Sequence, residues 1–132
     1  MMDSPPSILI YGRDYDLLET RRLVLQKAGF QAWTVTNLAD AEKITVTQPS
    51  DLLILCHSLS VEECEKALAM SHSRQPGMKN LVLMGTTPVC KLGQNDELMS
   101  SFDGPKALIA TVNRLLRCNS STRQLTALIR AS

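Results

Sequence analysis

Leu52-Leu53-Ile54-Leu55, entered through Ser50-Asp51 and left through Cys56, decides the fold of this 132-residue chain. Four large aliphatic residues in a row leave no polar face, so a strand made of them must be covered on both sides. That is the habit of a parallel sheet held between layers of helices. Working outward, Ile8-Leu9-Ile10-Tyr11 and Leu81-Val82-Leu83-Met84 repeat the pattern. Gln31 to Thr36 (QAWTVT) is a more polar strand, as expected nearer an edge, and Glu97 to Ser101 (ELMSS) offers a short fifth.

Helical patterns fill the intervals. Leu17, Leu18, Val24, Leu25 and Ala28 share one face of a helix that ends at Gly29, a natural residue for the left-handed turn after a helix. Asn37 can cap a short helix carrying Leu38, Ala41 and Ile44. Ser60 with Glu63 three residues on forms a capping box, followed by Val61, Cys64 and Leu68 at helical spacing. His72 is expected in the loop after that helix. Asp103, Gly104 and Pro105 open a last helix with Leu108, Ile109, Val112, Leu115 and Leu116 on its apolar face and Arg114 and Arg117 at its cationic end. Between Gly85 and Asp103 the pattern is too broken for a full helix. The alternation predicts a doubly wound α/β domain.

Bulk properties narrow the function. Hydrophobic residues make up 44% and charged residues 20%, with a formal net charge of +1, so nothing biases the chain toward nucleic acid or anionic lipid. Aromatics at 4% supply no stacking surface for single strands. Cys56, Cys64, Cys90 and Cys118 form no C-x-x-C pattern, so the sequence predicts no zinc site, and their scatter suits reduced thiols in the cytoplasm. No run is long enough to span a membrane, and the residues before Ile8 lack the basic start of a secretory signal.

Three segments taken together resemble the receiver domain of bacterial response regulators. Ile8 to Glu19 (ILIYGRDYDLLE) resembles the family's first strand, acidic turn and first helix. Ser50 to Cys56 (SDLLILC) resembles its third strand, and Phe102 to Leu108 (FDGPKAL) the entry to its last helix. The resemblance covers about residues 7–117 and implies a flavodoxin-like (CheY-like) five-stranded parallel sheet in the order 2-1-3-4-5, here with a shortened or missing fourth helix. It divides the chain into a receiver-like domain, 1–118, and a tail, 119–132, in which Thr122 to Arg130 suits a short helix.

The family's chemistry uses two acids after the first strand to hold Mg²⁺ and an aspartate ending the third strand to accept phosphate. A Ser or Thr ending the fourth strand, a Lys ending the fifth and a nearby aromatic respond to the modification. Carried over, the acids fall on Gly12 and Arg13, the acceptor on Cys56 and the Ser/Thr on Gly85. The aromatic falls on Glu97 and the lysine on Ser100. Asp14 is the one acid left nearby, beyond the strand end. The implied protein is a pseudo-receiver: no enzyme, no cofactor, no metal, a cytoplasmic module of two-component signalling that works by binding a protein partner. A second copy docking through the last helix or the tail is one form of that expectation.

Competing readings attach to single residues. Arg13 could replace the missing cation, but a surface arginine paired with Asp14 or Asp16 is the preferred reading. Cys56 could be a redox-sensing or catalytic thiol, but a buried structural cysteine is commoner. His57 beside it would point to the other face of a strand. A small-ligand domain of flavodoxin type is the third reading, although Gly12 lacks the further glycines of a phosphate-binding turn.

Overall fold

The computed structural model describes residues 6–47, 50–75, 77–84, 96–100 and 103–117. Five strands, β1 (Ser7–Tyr11), β2 (Gln31–Val35), β3 (Leu52–Leu55), β4 (Lys79–Met84) and β5 (Asp96–Ser100), form one parallel sheet in the order β2-β1-β3-β4-β5. The helices are α1 (Tyr15–Lys27), α2 (Leu38–Thr47), α3 (Val61–Arg74) and α4 over residues 105–117. The expected fold class and strand order are what forms. The broken segment after Gly85, Gly85 itself, Cys90, Cys118 and the tail helix at 122–130 lie outside the described residues.

The unbroken apolar strands are explained by two cores, one on each face of the sheet. Ile8, Ile10, Leu52, Ile54, Leu81 and Leu83 point one way, onto Leu18 and Leu25 of α1 and Leu108, Val112 and Leu115 of α4. Leu9, Tyr11, Leu53, Leu55 and Val82 point the other way, onto Ala41 of α2 and Cys64, Ala67 and Leu68 of α3. Strand alternation thus sends successive residues into different cores, and each buried aliphatic side chain contributes about 1.5–3 kcal/mol of apolar transfer. Among the described residues, no helix is long and apolar enough to cross a membrane.

Local signals set the helix ends. Gly29 adopts φ +100°, donates its N–H to the carbonyl of Gln26 (3.0 Å), and Phe30 N–H reaches Leu25 O (3.1 Å), the paired bonds of a Schellman stop. Asn37 Oδ1 accepts from Asp40 N–H at 2.8 Å. Ser60 Oγ accepts from Glu63 N–H (3.1 Å) while Glu63 Oε1 accepts from Ser60 N–H (3.0 Å), completing the capping box. The starts of β1 and β3 are clamped reciprocally: Ser7 N–H donates to Asp51 Oδ2 at 2.8 Å, and Asp51 N–H donates to Ser7 O at 2.8 Å.

Some expectations are corrected. Ala28 and Val61 are exposed rather than buried, because each sits at a helix end where the inward face has run out. His72 lies inside α3, not in a loop, and its Nε2 is 3.0 Å from Asp96 Oδ1. That carboxylate also accepts from Asn80 Nδ2 (2.7 Å), and Asn80 Oδ1 accepts from Ser71 Oγ (2.7 Å). With Ser71, Asn80 and the Asp96 side chain all sealed from solvent, this chain of polar groups ties α3 to β4 and to β5.

Candidate functional site

The carboxyl ends of parallel strands are where this architecture places its chemistry. Here the ends of β1 and β3 bring Gly12 against Cys56. Gly12 N–H donates to Val35 O (3.2 Å), and Cys56 N–H donates to Tyr11 O (2.9 Å), so both backbones are fixed by the sheet. A Cβ placed on Gly12 would lie 2.9 Å from Cys56 Cβ, 3.2 Å from its Sγ and 3.2 Å from Leu18 Cδ2. No real side chain fits there without movement, so the close approach itself demands glycine. The thiol and Leu18 occupy the space into which a residue at position 12 would extend.

Cys56 belongs to the α1/α4 core and is only 4% exposed. Burial pushes its thiol up, against an opposing pull from the Arg21 guanidinium, and the Asp14 charge adds a smaller upward push. A thiol held protonated and shielded from solvent is a poor nucleophile. β3 has already ended at Leu55, so strand alternation does not separate Cys56 from His57. The charges that act on the thiol are nonetheless Arg21 and Asp14.

Arg13 points away from Cys56. Its guanidinium pairs with Glu63 at the start of α3, and its N–H donates to Ser58 Oγ at 2.9 Å. The expected partners, Asp14 and Asp16, are not used: the Asp14 carboxylate caps α1, accepting from Asp16 N–H (3.1 Å) and Leu17 N–H (3.3 Å). Arg13 therefore staples the loop after β1 to the loop after β3. Glu63 is held below the usual carboxylate range, first by the Ser60 N–H and then by Arg13.

A lowered carboxyl value has a definite sign. The stability Glu63 contributes is whole above its unfolded value of about 4.3 and drains away as pH falls through the lower folded value. Acid should therefore cost the native protein more melting temperature than it costs Glu63→Gln. Parallel melting curves for the two proteins between about pH 3 and pH 7 would refute the assignment.

Glu97 and Ser100, expected at switch positions, sit on β5. Glu97 pairs with Arg114 of α4, and Ser100 ends the strand, accepting from Asp103 N–H at 3.3 Å. Gly85 lies outside the described residues. A magnesium ion prefers several carboxylate or water oxygens in an octahedron, and the residues here do not fit it. Gly12 has no side chain and no room for one, Arg13 is cationic, and Cys56 offers a soft, buried sulfur. No group of three potential metal ligands occurs among the described residues.

Arg21 was not legible as part of this site from motif spacing. Its signal was present, because it falls four residues after Leu17 and four before Leu25, on the inward side of an otherwise apolar face. An arginine there is aimed at the core, not at water.

With this geometry in hand, comparison with solved structures identifies the class of fold. A CheY-like response regulator receiver domain protein from Methanospirillum hungatei JF-1 matches with TM-score 0.78 at 18% identity, over 90% of this chain and 99% of that one. A response regulator receiver protein from Sinorhizobium medicae WSM419 matches with TM-score 0.75 at 16% identity, over 87% and 97%. The Vibrio cholerae chemotaxis protein CheY4 matches with TM-score 0.70 at 18% identity, over 84% and 98%. The fold is that of receiver domains, and at these identities the likeness is one of fold. No family model and no curated protein matches the sequence.

Proposed function

We propose that this chain is a pseudo-receiver: it keeps the receiver scaffold, takes no phosphoryl group, and acts in bacterial signal transduction by binding a protein partner in the cytoplasm. The observation that carries this reading is the packing of Cys56 on Gly12, which fills the space a metal-binding acid at position 12 would need. Phosphoryl transfer depends on positioning and on electrostatic stabilisation by metal and fixed donors. The Gly12, Arg13 and Cys56 positions supply no carboxylate for either. The domain ends near residue 118, and its last helix or the tail from 119 to 132 also serves to pair two copies.

The test is chemical. Incubated with Mg²⁺ and acetyl phosphate, the protein should keep its unmodified intact mass. Cys56→Asp should also stay unmodified, since an acceptor without its metal acids lacks the larger part of the machinery. The nearby cation that tempers the new carboxylate is Arg21, so adding Arg21→Leu should lower the melting temperature of Cys56→Asp further. A stoichiometric acyl-phosphate adduct on either the native chain or Cys56→Asp would overturn the reading.

A further inference from the structure

Between α1 and α4, beside the ends of β4 and β5, lies a cavity of about 230 Å³. Its walls are largely aliphatic: Leu17 and Val24 from α1, Leu83 from β4, Met99 from β5 and Leu108 from α4. One charged residue, Arg21, lines it, and Arg21 Nη1 is fully buried with no hydrogen-bond partner among the described residues. Leaving Nη1 buried without an acceptor is costly, since that atom gave up water and gained no bond in exchange. The guanidinium also contacts the Cys56 thiol, a weak acceptor, and Nη1 is still left without a partner. Gly104 and Pro105 bring the amino end of α4 to the same cavity, and the partial positive charge there adds to that of Arg21.

We propose that this cavity is a binding site for a short-chain aliphatic monocarboxylate, whose carboxylate accepts from Arg21 Nη1 while its alkyl body lies on the Leu, Val and Met walls. Two features choose this class. The single open donor suits one small anionic head, whereas inorganic phosphate would turn several unpaired oxygens onto aliphatic side chains. The cavity lies below the ~300–1,000 Å³ of ordinary ligand sites, so the ligand has few atoms, on the order of eight besides hydrogen at ~30 Å³ each. The site lies between helices, apart from the packed Gly12–Cys56 contact, and does not depend on whether the chain can be phosphorylated.

Titration of the full chain with sodium hexanoate, followed by backbone amide chemical shifts, tests the assignment. Hexan-1-ol carries the same body without the charge, and inorganic phosphate carries charge without the body. Saturable shifts should centre on Thr20, Arg21 and Leu108, and hexanoate should bind at least tenfold more tightly than either control. Arg21→Gln should weaken hexanoate at least tenfold and leave hexan-1-ol unchanged. Leu108→Phe, which fills the cavity while keeping the charge, should abolish binding and guards against an Arg21 variant that misfolds. Equal binding of hexan-1-ol would reduce the cavity to a greasy void, and equal binding of phosphate would make it a plain anion site. Either result overturns the proposal, as does a hexanoate Kd weaker than about 20 mM or binding that survives Leu108→Phe.

Discussion

Gly12→Ala should destabilise the domain by about 1–3 kcal/mol, an unusual cost for adding one methyl group at the end of a strand. The new Cβ meets Cys56 Cβ at 2.9 Å, and both atoms hang from backbones that the sheet holds in place. Gly12→Asp should cost more, because the same collision is joined by a carboxylate pressed against a thiol and Leu18. Cys56→Gly removes the obstructing atoms, so Gly12→Ala with Cys56→Gly should be less destabilised than the two single changes added together. Denaturant unfolding of the four proteins gives that coupling directly, and a value within about 0.3 kcal/mol of zero would mean the two residues do not compete for one space. The experiment bears on function as well as stability, since it asks whether an acid can be introduced at position 12 by one substitution. The packing says that it takes at least two.

Asp96→Ala should cost a further about 1–3 kcal/mol at a distant place, by stranding a buried amide. Asn80 Nδ2 loses its acceptor in a position sealed from solvent, and the tie from α3 through Ser71 and Asn80 to the edge strand is cut. His72→Ala provides the contrast. Its side chain is 44% exposed, so water can take the place of the imidazole beside the Asp96 carboxylate, which keeps its bond from Asn80, and the loss should be the smaller of the two. Thermal or denaturant melts of both variants check the ranking. Equal losses would show that the imidazole, not the buried amide, anchors β5.

The fold was readable because its three central strands carry unbroken apolar runs, a pattern with one common solution. Ile8 to Tyr11 and Leu52 to Leu55 must be covered on both faces, and the Ser60–Glu63 box and Gly29 mark helix ends by local chemistry alone. The site was readable only as a set of positions. That Cys56 is buried follows from its residue type, but that it packs on Gly12 is a contact across 44 residues that no local pattern encodes. The partner of Arg13 is hidden for the same reason. Glu63 is nearby only after α3 folds back over β3, whereas Asp14 was near in sequence but already committed to capping α1. His72 reads as a loop residue in the sequence because the helix signal fades after Leu68. The groups that hold that last turn in place, Asn80 and Asp96, lie on other strands.

The reciprocal clamp between Ser7 and Asp51 has a consequence in time. Its two halves are separated by 44 residues, and β1 lies between β2 and β3 in the finished sheet. A ribosome adding ~5–20 residues per second needs about 2–9 s to pass from one half to the other. Throughout that interval Ile8 to Tyr11 has β2 on one side at most and nothing on the other. A strand buried on both faces is therefore the one that waits longest for its second neighbour, and slowing translation between residues 11 and 52 should lengthen its exposure to chaperones in direct proportion.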